Sequence, residues 1–291
     1  MIELSQLDLD QGVARVGFAG DTLNTATYLA RLGANVSYVT NLGMDAFSAR
    51  MIGQMQTESI NTSLIGRHDS RLPGIYSIEI DENGERSFRY WRDGSAARTL
   101  FSGVGPDLTD LDGFDVIYLS GITLAILPPD IRRALIASLG QRRERGCRIV
   151  FDSNYRPRLW TSEDTTRDCF VSMWKVTSLG LPSFDDEVRL YPGTTPRQVL
   201  DRIAGFGVAE IVLKNGAAGP LIGNDGQVEQ TDFAEVRNVI DTSGAGDSFN
   251  AGYLAARLDG VAPLAAALAG HLLASRVIGH HGAIIPKNAM P

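Results

Sequence analysis

Asp115-Val116-Ile117-Tyr118-Leu119 is a short apolar run, and Arg148-Ile149-Val150-Phe151 is the next, with a helix-like stretch between them. Strand, helix, strand is the unit of a parallel sheet, because strands that run the same way cannot be joined by a tight turn. Further out, Val36-Ser37-Tyr38-Val39-Thr40, Val176-Thr177-Ser178-Leu179 and Glu210-Ile211-Val212-Leu213 repeat the pattern, each leading into a helical stretch or a loop before one. The alternation predicts an α/β fold: a parallel sheet sandwiched by helices, with right-handed crossovers.

The helix ends support this reading. Asp21 is a candidate N-cap for a helix with apolar positions Leu23, Ala26, Leu29 or Ala30, and Leu32, and Gly33 suits its left-handed C-terminal position. Asp45 opens a helix through Met51 and Met55, and Thr195-Pro196 is an N-cap followed by proline at the first helical position. One region breaks the alternation. Gly74 to Asp81 and Arg86 to Trp91 are strand-like runs around Glu82-Asn83-Gly84-Glu85, and Asn-Gly between such runs signals a hairpin. With Gln11 to Phe18 as another strand, a small antiparallel sheet is expected from segments near 3–18 and 71–95. It is placed as a lid on a single domain, 1–291, with no Pro/Ser-rich linker between the parts.

The chain has 291 residues, 44% hydrophobic and 21% charged, enough to fill a sizeable core without disulfides. Its net charge of −7 argues against a general nucleic-acid or anionic-membrane binder. The first residues lack a basic and an apolar region, so no signal peptide is expected. With only Cys147 and Cys169, a reducing cytoplasm is the expected setting. The uncharged stretch Gly260 to Ser275 is too short to span a bilayer and reads as a buried helix.

The sharpest chemical motif is Asp241-Thr242-Ser243-Gly244-Ala245-Gly246-Asp247-Ser248-Phe249-Asn250-Ala251-Gly252. Gly-x-Gly also starts at Gly103 and Gly205, so the spacing alone means little. Here it follows a strand-like Val239-Ile240 and opens a helix with apolar face Phe249, Tyr253, Leu254 and Leu258. Glycines let backbone approach a ligand, and the free amides of a helix N-terminus favour an anion. Asp247 stands at that anion site. Read without a ligand, the segment is a glycine turn with an aspartate near a helix start.

This run resembles the C-terminal signature of the ribokinase-like (PfkB) carbohydrate kinases, and Gly17-Phe18-Ala19-Gly20-Asp21-Thr22-Leu23-Asn24-Thr25-Ala26 resembles their N-terminal sugar-binding segment. The narrower resemblance is to members acting on keto-deoxy sugar acids. It is carried by Arg71-Leu72-Pro73-Gly74, Phe88-Arg89-Tyr90-Trp91-Arg92, Leu119-Ser120-Gly121-Ile122, Asp152-Ser153-Asn154-Tyr155-Arg156-Pro157-Arg158-Leu159-Trp160 and Gly282-Ala283-Ile284-Ile285-Pro286. The pieces fall in order along nearly the whole chain. The implied fold is ribokinase-like, and the implied reaction is phosphoryl transfer from ATP, with Mg2+, to the terminal hydroxyl of a keto-deoxy sugar acid.

By the same resemblance, Asp247 takes the hydroxyl proton, and the amides of Gly244, Ala245 and Gly246 hold charge on the transferred group. Gly20, Asp21 and Asn24 belong to the sugar side, with Ala19 where relatives commonly carry another glycine. Tyr76, Tyr90 and Arg92 lie in or beside the lid hairpin and are expected to close over the sugar, although Tyr90 and Trp91 point opposite ways and one of them can simply pack the sheet. Arg156 is the expected partner of the substrate carboxylate, since a guanidinium gives that group a two-pronged match. On the nucleotide side stand Asn154, Lys214, Gly216 and Gly219, with Gly244 and Gly246; a solvated lysine at a strand end is the plain alternative for Lys214.

No Walker-type glycine loop occurs, which disfavours a P-loop kinase. The family's Asn-x-x-Glu motif, linked to magnesium, is replaced by Pro182-Ser183-Phe184-Asp185-Asp186-Glu187, so no metal ligand is assigned. Relatives also carry an apolar strand and a Gly-Glu ahead of the segment matching Met1 to Leu4. The expected assembly is a homo-oligomer through the lid sheet. Two other readings are a kinase of a neutral sugar such as fructose or ribose, and a sugar-binding sensor without turnover. An oxidoreductase is disfavoured because no Gly-x-Gly-x-x-Gly follows the first strand.

Overall fold

The computed structural model describes residues 1–8, 10–80, 86–224, 226–230, 233, 236 and 238–291. The chain forms two compact units, Met1–Asp110 and Leu111–Pro291.

In the first unit, β1 (Ile2–Asp8), β2 (Val13–Phe18), α1 (Asp21–Arg31), β3 (Thr40–Gly43), α2 (Ala46–Thr57), β4 (Ile65–His68), β5 (Ile75–Ile80) and β6 (Arg86–Trp91) follow in order. Four of these strands make a sheet in the order β2-β1-β5-β6. The β1–β2 and β5–β6 pairs are antiparallel as expected, but β1 runs parallel to β5 from Ile2↔Ile75 to Leu4↔Ser77, so the sheet is mixed. Two hairpins brought together by a long connection have no turn to force antiparallel pairing between them. The expected Asn83-Gly84 turn lies outside the described residues. Residues 11 and 12 belong to the turn before β2, where the Gln11 amide donates to Asp8 Oδ1 at 2.9 Å.

The strand expected at Val36–Thr40 starts only at Thr40. Ahead of it, Ser37 makes a single bridge to Asn61, and the regular ladder is β3 against β4. Asp45 caps α2 by accepting from the Ser48 amide at 3.0 Å. Asp21, by contrast, is not a cap but the first helical residue, and Gly20 takes the cap position. Gly33 adopts the left-handed φ of 93° that ends the helix, while Leu32 is exposed. The core of this unit joins Ile2, Phe18, Leu23 and Ala26 to Met51, Met55 and Ile60.

The second unit contains β7 (Val116–Ser120), α3 (Gly121–Ile126), α4 (Pro129–Glu144), β8 (Arg148–Asp152), α5 (Glu163–Trp174), β9 (Leu179–Gly180), α6 (Phe184–Leu190), α7 (Pro196–Ala204), β10 (Glu210–Leu213), β11 (Leu221–Asn224), β12 (Gln227–Glu229), α8 (Ala245–Leu258) and α9 (Pro263–Ile278). Its sheet has the order β12-β11-β10-β9-β8-β7. The four strands from β7 to β10 are parallel, and β11 and β12 add an antiparallel edge. Ile149, Val150 and Phe151 of β8 are fully buried, as a strand covered on both faces requires. Phe151 meets Phe170 and Trp174 of α5 edge-on, with centroids 5.4 and 4.7 Å apart. Thr195 and Gln198 form a reciprocal capping box at α7.

Four expectations shift here. Val176 and Thr177 are not strand residues: their amides bond back to Met173 and Trp174 as the closing turn of α5, and only Leu179–Gly180 pairs in the sheet. Val239 and Ile240 are exposed and outside any strand; the Ile240 amide bonds to the Ile278 carbonyl at 2.8 Å instead. The stretch 260–275 is largely α9, but it buries one face only, through Ala266, Ala267, Gly270 and Leu273, leaving Leu268 and Leu272 exposed. On α8, Phe249, Tyr253 and Leu254 are buried, whereas Leu258 is exposed. Helices α8 and α9 touch backbone to backbone: a Cβ on Gly252 would lie 2.9 Å from the Gly270 Cα. No helix among the described residues is long and apolar enough to cross a membrane.

Candidate active site

The glycine loop before α8 is held from both sides. Asp241 Oδ1 accepts from the Ser243 amide at 2.8 Å, and its Oδ2 accepts from the Gly282 amide at 2.6 Å. Gly244 caps α8 with φ of 73°, and a Cβ there would fall 2.7 Å from the Ala283 carbonyl oxygen, so only glycine fits. Two segments distant in sequence, 241–246 and 282–283, thus shape one turn. Asp247 sits half-buried in the first turn of α8.

Beside this loop stands Lys214, at the end of β10. A Cβ on Gly246 would lie 3.7 Å from its Nζ, so the missing side chain keeps open the space between the helix start and the ammonium. The lysine is not the solvated strand-end residue of the plain alternative. Its Nζ donates to Asp152 Oδ2 at 2.9 Å and to Asn250 Oδ1 at 3.1 Å. An anion suits this cradle of helix amides and a fixed ammonium, and a nucleotide phosphate is such an anion. Among the described residues no group of three His, Cys, Asp or Glu side chains is placed to hold a metal ion. Magnesium bound with a nucleotide would need only one or two protein carboxylates beside phosphate oxygens and water.

The segment after β8 supplies two further expected residues. Asn154 is buried at φ of 27°, and its amide closes a turn onto Asp152 Oδ1 at 3.2 Å. Arg156 is extended, as a residue before proline should be, and its side chain is 45% exposed. Its Nη1 donates to the Tyr155 carbonyl at 2.9 Å and to Asp186 Oδ1 at 3.4 Å. Asp186 Oδ2 also accepts from the Tyr155 amide at 3.1 Å. Burial pushes the Asp186 carboxyl above the ordinary range, against the pull of Arg156. Its neighbour Glu187 is turned away to Arg202 at 2.5 Å, and burial raises it to about 7. In the stretch 182–187, both of these acids are engaged with arginines. Gly216 and Gly219 follow β10 with φ of 53° and 77°, and a Cβ on Gly219 would strike the Phe233 ring at 2.6 Å.

The residues expected on the sugar side, all in the first unit, are arranged as follows. The Gly20 amide donates to Asn24 Oδ1 at 3.3 Å, so buried Asn24 closes the first turn of α1 beside half-buried Asp21. Tyr76 stacks on Tyr90 at 5.9 Å and donates its hydroxyl to the Glu3 carboxylate. The Arg92 guanidinium lies 4.2 Å over the Tyr90 ring, while Trp91, on the opposite face, is the more exposed. Ala19 packs in one apolar cluster with Tyr76 and Ile78, which gives its methyl a role that glycine could not fill.

The sequence reading passed over Asp152, Asn250, Asp186 and Tyr118. One signal was available: Asn250 follows Gly246 by four residues, hence shares its helix face.

A model of the pfkB family carbohydrate kinases matches residues 4–290. The chain is 45% identical to a 2-dehydro-3-deoxygluconokinase of Dickeya dadantii, covering 100% of this chain and 96% of that one. It is 44% identical to a protein of the same name from Escherichia coli K12, with the same coverage. A solved fructokinase from Vibrio cholerae, with fructose, ADP and calcium bound, has the same fold at TM-score 0.82, with 22% identity over 97% of this chain and 91% of that one.

Proposed function

The chain belongs to the pfkB family of carbohydrate kinases, and from that premise we propose that it phosphorylates the terminal hydroxyl of 2-keto-3-deoxygluconate at the expense of ATP, giving 2-keto-3-deoxy-6-phosphogluconate and ADP. The observation that carries this reading is Asp247 in the first turn of α8, beside a glycine loop whose open side meets the Lys214 ammonium. The full-length similarity to proteins named 2-dehydro-3-deoxygluconokinase supports the substrate.

Asp247 accepts the proton of the terminal hydroxyl as that oxygen bonds to the γ-phosphorus and the bond from phosphorus to the β-phosphate oxygen breaks. The amides of Gly244, Ala245 and Gly246, with Lys214, stabilise the charge on the transferred group. Magnesium bound with the nucleotide would neutralise its phosphates. Gly216, Gly219 and Asn154 serve the nucleotide side. Asp21 and Asn24, with Gly20, serve the sugar hydroxyls, and Tyr76, Tyr90 and Arg92 the body of the sugar. Arg156 takes the carboxylate, its remaining guanidinium edge being the one that Asp186 and Tyr155 leave available. The two cysteines are free, in keeping with a reducing cytoplasm. Val16 and Trp91, exposed on one face of the β2-β1-β5-β6 sheet, support self-association through it.

The test is an ATP-dependent phosphorylation screen over keto-deoxy acids, fructose and ribose, with phosphorus NMR on the product. Turnover restricted to the acids supports the assignment. Preference for a neutral sugar overturns the substrate, and absence of turnover overturns the kinase.

A further inference from the structure

Long lysines at strand ends ordinarily keep their rotamer freedom and their hydration. Lys214 has lost both. Its side chain is 13% exposed, and two of the three donors of its ammonium are taken by Asp152 and Asn250. Asn250 Nδ2 donates in turn to the same Asp152 oxygen at 2.7 Å and to the Tyr118 hydroxyl at 3.1 Å. These partners fix which way the amide faces. Turned over, Asn250 would set its oxygen against a carboxylate and its NH2 against an ammonium.

Asp152 and Asn250 are themselves buried, so neither is free to follow the lysine if it moves. The nearby carboxylate of Asp186 is bonded by Arg156 and the Tyr155 amide, and it feels the Lys214 charge without a bond to it. Strand β8, helix α8 and strand β7 therefore each contribute one side chain to a network around a single ammonium. The donor left over belongs to an atom 3.7 Å from where a Gly246 Cβ would be.

We propose that Asp152 and Asn250 are positioning residues for phosphoryl transfer, which hold the Lys214 ammonium aimed at the phosphates in the Gly244–Gly246 loop, with Tyr118 locking the orientation of Asn250. The proposal rests on the reading of Lys214 as a phosphate donor. Such preorganisation spares the lysine the ordering cost when the nucleotide binds.

The experiment is a double-mutant cycle on the full chain, reading the Kd of a non-hydrolysable ATP analogue with Mg2+ by calorimetry. Lys214→Met and Asn250→Ala should each weaken binding by about tenfold, the scale of one charge-assisted hydrogen bond. The double variant should bind no more weakly than Lys214→Met alone, because Asn250 acts through the lysine. In Asn250→Ala the KM for the sugar acid should stay within about twofold of the parent, since that substrate is not proposed to touch Asn250. If Asn250→Ala does not fold, Tyr118→Phe replaces it in the cycle, with a smaller loss in the same direction. Additive losses, or an Asn250 or Tyr118 variant that lowers only the melting temperature, overturn the proposal. If Lys214→Met leaves the Kd unchanged, the phosphate role of Lys214 falls and takes the proposal with it. If Lys214→Met weakens binding and the Asn250 variant does not, the positioning role alone falls.

Discussion

Removing the Arg156 guanidinium should separate acid from neutral substrates. A charge-assisted hydrogen bond contributes roughly 1.5–3 kcal/mol. The side chain is 45% exposed, so water competes for it and the lower part of that range applies. At about 1.5–2 kcal/mol, and 1.4 kcal/mol per decade, Arg156→Ala should lower kcat/KM for the keto-deoxy acid roughly 10- to 30-fold. Arg156→Lys should recover part of this, because a point charge reaches the carboxylate without reproducing the planar fork. The assay couples ADP release to NADH oxidation, with one acid and one neutral sugar of similar shape run on all three proteins. The neutral sugar should change by less than about twofold. An equal fall on both substrates would refute the carboxylate contact: Arg156 would then be holding its loop through Asp186 and Tyr155, and the anchor would have to be sought at Arg92 or Arg89.

Asp247→Asn should fold normally and lose turnover by on the order of 100-fold or more, as loss of a positioned base does; near-normal kcat in a folded variant would remove Asp247 from the mechanism. Glu187 is raised from the usual 4.5 to about 7 by burial, so the folded state holds its proton more tightly than the unfolded state. The stability from this proton is full below pH 4.5 and is lost as pH rises towards 7, with a slope approaching about 1.4 kcal/mol per pH unit between them. Urea titrations should show this decline flattened in Glu187→Gln, and parallel curves would contradict it. Gly252→Ala puts a methyl against the backbone of Ala269 and Gly270, and should cost about 1–3 kcal/mol of stability by over-packing, read as a lower urea midpoint.

What could be read in advance followed from local chemistry. The apolar runs at 116–119, 148–151 and 210–213 are strands, and Thr195 and Asp45 cap their helices, because each depends on residues within a few positions. The errors came from two sources, a local turn that outweighs strand composition and partners distant in the chain. Val176 and Thr177 have strand composition, but the turn closing α5 claims their amides. Val239 and Ile240 look like a strand, yet the Ile278 carbonyl takes the Ile240 amide. The parallel β1–β5 pairing joins residues more than seventy positions apart. The site divides the same way. The glycine loop, Asp247 and Lys214 announce themselves by type and spacing. The Asp152–Lys214–Asn250 network joins side chains 36 to 98 positions apart and becomes visible only once the sheet is assembled.

The stapling of the glycine loop also orders events in folding. The turn at 241–244 takes its shape from Gly282 and Ala283, and α8 and α9 lie between the two segments. A refolding chain can therefore regain its parallel sheet while the glycine loop is still unformed, until α9 has docked and brought residue 282 back to Asp241. Ellipticity in the far ultraviolet should recover ahead of catalytic competence, and α9, with no proposed ligand contact of its own, would be the last gate to activity.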